Sequence, residues 1–218
     1  MVIMQFYLVF RGRLPSTGNT SKKPDIVRDI RDQFHPQLEL LWKTSAALQR
    51  LKRTAWVAEN PATRMATVDS PLGPEWDVDK YPPKEGYVDL CAPIVKGKKS
   101  YIPLVRKSLD LNCHLQILFL RQEDPGALVL QGGDLDGRIK TLFDALRAPD
   151  EDVELLHPQA QVKTFCLMEN DTLISGFEVS TGRLLMPETE FPNEAHLIVE
   201  VTIRVLKLGS WNVCLAGD

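Results

Sequence analysis

Residues 112–121, Asn-Cys-His-Leu-Gln-Ile-Leu-Phe-Leu-Arg, constrain this chain more than any other stretch. Cys113, Leu115, Ile117 and Phe119 alternate with His114, Gln116, Leu118 and Leu120. The period is that of a strand, and both sides are largely apolar. A strand of this kind belongs inside a sheet, with cover on both faces. A loop containing Pro125, Gly126, Gly132 and Gly133 follows it. Residues 137–147 then place Ile139, Leu142, Phe143 and Leu146 at i, i+3, i+4 and i+7, the buried stripe of an amphipathic helix. A central strand that feeds a helix predicts an α+β fold, a mixed β-sheet packed with helices.

The rest of the chain fills in around that pair. Residues 1–10 read as a first strand rich in Val, Ile, Phe and Tyr, closed by Pro15 and a polar loop. Pro24-Asp25 opens a helix, and His35-Pro36 is expected to end it. A second helix covers residues 37–53, with Leu38, Leu41, Trp42, Leu48 and Leu51 near helical spacing. Pro61, Pro71, Pro74, Pro82 and Pro83 mark residues 54–110 as an insertion or extended loop. Within it, residues 87–95 and 101–105 form a hairpin that Pro93 and Pro103 assign to a sheet edge. Residues 148–161, with Asp150, Glu151, Asp152 and Glu154, are a second, acidic insertion. Strands are expected over residues 162–168, 172–179 and 196–206. The 218 residues thus make a single domain with insertions.

Composition removes several function classes. No apolar run approaches the roughly 20 residues of a spanning helix, so no membrane partner is expected. Cys91, Cys113, Cys166 and Cys214 form no C-x-x-C pair, which argues against a zinc finger or disulfide scaffold and for free thiols in the cytoplasm. The net charge of −3 is unevenly spread. Residues 1–53 carry ten basic against four acidic side chains, and residues 108–218 carry eight basic against eighteen acidic. Such a split sets a phosphate-attracting surface beside an acidic pocket, although two solvated faces would give the same count.

The chemistry-bearing stretch is Gly133-Asp134-Leu135-Asp136-Gly137-Arg138-Ile139-Lys140. If Asp134 and Asp136 end an extended segment, both carboxylates project to one side and Leu135 points into the core. Two convergent carboxylates suit Mg²⁺ or Mn²⁺. Lys140 follows Asp136 by one helical turn and can neutralise a phosphate oxygen over the same pocket. Asp171 is the natural third ligand, with Glu169 as the lesser one. The same D-x-D also fits an N-cap with a first-turn acid, and taken alone it does not separate the two.

The combined run D-L-D-x-x-x-K-x-x-x-D-A-L is more specific. Asp134, Leu135, Asp136, Lys140, Phe143, Asp144, Ala145 and Leu146, with Asn170-Asp171-Thr172-Leu173-Ile174 as the later acidic motif, resemble the RusA-type Holliday junction resolvases. The likeness covers roughly residues 112–207 and the first strand. It departs from the family at Gly137, where Asn is usual, at Gly133, where a basic residue is common, and at Asn170, where a second aspartate is expected. The resemblance implies a RusA-like fold and a homodimeric, Mg²⁺-dependent endonuclease, Mn²⁺ being a possible substitute, that hydrolyses phosphodiester bonds of Holliday junctions or other branched DNA. It implies that Asp134, Asp136 and Asp171, with Glu169 in reserve, bind metal, and that Lys140 contacts the scissile phosphate. Metal ions there would polarise the phosphate and activate water. Arg11, Arg13, Lys22, Lys23, Lys98, Lys99 and Arg138 are the candidate DNA-binding residues. Two alternatives stand beside it: a catalytically weak or inactive nucleic-acid-binding protein of the same fold, and a metal-dependent phosphohydrolase acting on small phosphates.

Overall fold

The computed structural model describes residues 1–14, 23–58, 85–96, 99–122, 133–149, 163–185, 194–209 and 211–217. In chain order the elements are β1 (Val2–Arg13), α1 (Lys23–Thr44), α2 (Ala46–Thr54), β2 (Trp56–Ala58), β3 (Tyr87–Asp89), β4 (Ile94–Lys96), β5 (Lys99–Val105), β6 (Leu111–Arg121), α3 (Gly133–Leu146), β7 (Lys163–Met168), β8 (Ile174–Arg183) and β9 (Glu194–Val205). The fold is α+β.

The main sheet has the order β1-β9-β6-β8. β9 is antiparallel to both β1 and β6, while β8 runs parallel to β6. The alternation that marked β6 holds in full: Cys113, Leu115, Ile117 and Phe119 are buried on the inner face. They meet Val199, Val201 and Ile203 of β9, Leu8 and Phe10 of β1, and the helices. Cover on the second face is not supplied by any described element. On the outer face Gln116 and Leu118 are exposed and His114 and Leu120 half-buried, beside exposed Tyr7 and Val9. The helices all serve the inner face, and no described element crosses the outer one.

α1 runs through Pro36 instead of ending there. The missing N–H costs one helical hydrogen bond. Val27, Ile30, Phe34, Leu38 and Trp42 are nevertheless all buried on one stripe, and their packing carries the helix on for two further turns. The break comes at Ser45, which caps α2 by accepting from the Leu48 N–H at 3.3 Å.

Residues 54–110 contribute more than a loop. β2 pairs with β3, and β4, β5 and β7 form a third sheet in that order. β5 is its middle strand, so Pro103 does not mark an edge strand as a whole. Locally it still behaves like one: the β4 pairing ends at Tyr101, two residues before the proline, while β7 continues on the other side through Cys166 and Met168. Buried Arg106 closes the flank left without a β4 partner. Its Nε donates to Pro103 O at 2.8 Å, and its Nη1 donates to Ala92 O at 2.5 Å.

Candidate functional site

α3 begins at Gly133, four residues before the periodicity suggested. Asp134 and Asp136 therefore stand on helical backbone, where alternate positions do not share a side as they do in a strand. The expected geometry of two carboxylates at a strand end is replaced by a helix N-terminus. The Asp134 side chain falls outside the described residues. Leu135 packs against the core as expected, while Asp136 and Lys140 are exposed one turn apart. Ile139, Leu142, Ala145 and Leu146 form the buried stripe.

The direction of α3 decides what those residues can reach. β1, β6 and β8 all run the same way, so Arg13, Arg121 and Arg183 share one end of the sheet. The N-terminal half of α3 lies at that end, because the Arg138 guanidinium donates to Leu14 O just past β1. The C-terminal end of α3 lies at the other. There the Ala148 N–H donates to Met168 O at 2.9 Å, the Glu169 N–H donates to Val105 O at 3.0 Å, and the Leu111 N–H, at the start of β6, donates to Arg106 O at 3.2 Å.

Asp171 belongs to this second end. It is exposed on a short 3-10 turn, Asp171–Leu173, directly before β8. About 15 Å of helix axis separates Asp136 from Leu146, the last residue of α3. The structure therefore does not bring Asp136 and Asp171 together within one chain. Among the described residues no group of three or more His, Cys, Asp or Glu is placed to hold a metal ion. Of the expected three-carboxylate set, Asp136 and Asp171 thus stand at opposite ends of the sheet, and the Asp134 side chain lies outside the described residues.

The remaining site candidates divide between work inside the fold and exposure. Glu169 is half-buried, and its Oε2 accepts from the Lys107 N–H at 3.2 Å. Asn170 Oδ1 accepts from the Thr172 N–H at 2.9 Å. That is the role of an Asx cap, so asparagine at this position leaves the turn intact. Arg138 is corrected from DNA contact to core staple, since its side chain is buried and bonded to Leu14 O. Lys23 pairs with Asp144 at 2.8 Å, and Arg147 pairs with the same carboxylate at 3.2 Å. Arg11 is exposed and ion-paired to Glu194 at 3.0 Å; Arg13 is exposed beyond it. Lys99 is half-buried near Arg31 and Arg28, and burial, then those two cations, push its ammonium below the usual lysine value. Lys22 and Lys98 lie outside the described residues.

Three residues with clear jobs carried almost no sequence signal. Arg31 is buried, and its Nη2 donates to Asp144 O at 2.8 Å and Arg147 O at 3.4 Å, which satisfies the last carbonyls of α3. Gln33 and Gln37 bond the outer backbone of β1: the Val9 N–H donates to Gln37 Oε1 at 2.9 Å, and the Arg11 N–H donates to Gln33 Oε1 at 3.1 Å. The i, i+4 spacing of two glutamines on a helix is the one hint of a paired function, and it is a weak one. On the outer face of the sheet, Tyr7, Leu118, Glu178, Ser180, Ile198 and Glu200 line a shallow hollow of about 250 Å³. Two carboxylates at its wall make it a poor seat for phosphate.

No protein-family model, characterised protein or solved structure matches this chain.

Proposed function

We propose that the chain is a metal-dependent endonuclease of branched DNA that works as a homodimer in the cytoplasm. The observation that carries this reading is the placement of Asp136 and Lys140. An exposed acid and an exposed base stand one turn apart on the helix that follows the central strand, at the same end of the sheet as Arg11 and Arg13. That end combines a carboxylate able to take a hard cation with basic side chains able to take a phosphate backbone. The thiols agree with a reducing setting: no disulfide forms among the described residues, and burial pushes those of Cys91, Cys113 and Cys166 up to about 12.

The separation of Asp136 from Asp171 gives the homodimer a chemical reason. One chain holds the two acidic motifs at opposite ends, so a site using both draws them from two copies related by a two-fold axis. The test is subunit mixing. Asp136→Asn and Asp171→Asn each abolish cutting of four-way junctions in Mg²⁺. Mixed together, they form heterodimers in which one of the two sites is intact, and about a quarter of the wild-type sites return. A mixture as dead as its components sinks the shared site, and wild-type protein that leaves junctions, flaps and forks uncut with Mg²⁺ or Mn²⁺ sinks the nuclease.

The same separation favours a second reading, a DNA-binding protein of this fold without catalysis. It predicts junction affinity that falls steeply with salt and does not respond to divalent metal.

A further inference from the structure

We infer that the outer edge of β8 is the docking surface for a second copy of this chain, through an antiparallel β8–β8 pair centred on Val179. The inference rests on the homodimer reading above and supplies its surface.

A sheet edge displays unpaired backbone groups, and chains normally blunt both edges with lysine, proline, bulges or a covering element. Here one edge is blunted. The side-chain amides of Gln37 and Gln33 each bond both backbone groups of one β1 residue: Gln37 Nε2 donates to Val9 O at 2.7 Å and Gln33 Nε2 to Arg11 O at 3.0 Å, besides the two bonds they accept. Two side chains thus imitate a neighbouring strand. β8 has ten residues, Ile-Ser-Gly-Phe-Glu-Val-Ser-Thr-Gly-Arg, without lysine or proline, and among the described residues it pairs with β6 alone. Phe177, with a ring 5.1 Å from Phe143 of α3, still leaves 49% of its surface exposed at this edge.

The strand is also complementary to itself. With the two-fold at Val179, Phe177 faces Thr181, Glu178 faces Ser180, Gly176 faces Gly182 and Ser175 faces Arg183. No charge meets its like, and the apolar positions stay on the face that carries α3. The opposite face is flush, because a Cβ on Gly182 would come within 2.8 Å of the Leu120 side chain and one on Gly176 within 3.2 Å of His114. The antiparallel arrangement turns the Asp171 end of one copy toward the Asp136 end of the other, the relation that a site shared between copies needs.

Sedimentation of the full chain without DNA or metal tests this. Wild-type protein is expected to form a dimer. Ser180, exposed and opposite Glu178 across the axis, gives variants of opposite sign. Ser180→Glu sets like charges face to face twice per dimer and weakens association about tenfold, whereas Ser180→Lys sets opposite charges there and tightens it. A substitution that merely harmed the fold would not tighten the dimer. A monomer at every concentration, or a dimer indifferent to both variants, overturns the interface. The two readings fail separately: a β8 dimer that cuts no DNA removes the nuclease and keeps the interface, and a monomer that cuts does the reverse.

Discussion

β1 and β8 are the outer strands of one sheet, of twelve and ten residues, and they meet the same physical problem differently. β1 buries Leu8 and Phe10 under α1 and hands outer backbone groups to Gln33 and Gln37 of that helix. Inner-face Phe177 of β8 keeps half its surface in solvent, and β8 pairs on one side only among the described residues. The core needs β1 in place, so a helix locks it. β8 hangs on β6 and α3, and among the described residues its other edge has no strand partner, a position that the proposed second copy would fill. The difference teaches that edge protection is local: among the described residues of one sheet, one edge has it and the other does not.

The largest test of that contrast is in the core. Leu8→Ala removes a fully buried side chain from β1 and should cost about 2–5 kcal/mol in urea unfolding. Next comes the guard itself. Gln33→Ala with Gln37→Ala removes the strand mimic from an edge that water can reach, and should cost about 1–2 kcal/mol. The sharper readout is self-association: freed of its glutamines, β1 should pair between molecules and form species larger than the wild type in sedimentation. A double variant that associates no more than wild type would break the idea that the amides act as guards. Phe177→Ala should cost about 1 kcal/mol through the lost edge-to-face contact with Phe143. It should weaken the dimer more than it weakens the fold.

The smallest effect concerns the outer face of β1. The hydrogen bond and charge of Glu200 hold the Tyr7 proton on, so its ionisation is pushed above the ordinary tyrosine value. The folded chain keeps this proton where the unfolded chain has released it. The contribution is full below the ordinary value and is lost as pH rises through the raised one. In an ultraviolet titration Glu200→Ala should return Tyr7 to ordinary behaviour; no change would detach β1 from β9 at this point.

How far the sequence reached follows from what each element depends on. β6 and the buried stripe of α3 were legible because dense apolar periodicity dictates them. The course of α1 through Pro36 was not, because the helix survives on tertiary packing that no local rule contains. The first turn of α3 was hidden in the same way. Gly133, Asp134 and Asp136 read equally well as a strand end, and that one boundary changed how the two aspartates are arranged. Arg138 looked like a surface cation, since nothing local distinguishes a guanidinium that bonds a carbonyl 124 residues away. The opposite-end placement of Asp136 and Asp171 depends on how α3 runs between β6 and β7, which is a property of topology.

β9 joins β1 to the β6–β8 pair, so β1 has no strand neighbour until β9 exists. Gln5 and Glu200, bonded across this pair, are 195 residues apart. A growing chain must therefore carry β1 without a strand partner until residues 194–205 have been made, with Leu8 and Phe10 covered on one side by α1 alone. Closing so long a loop is slow, and the waiting strand is a natural client for a chaperone. Refolding from denaturant should show the same delay, with helical signal returning first and protection of β1 amides arriving together with that of β9.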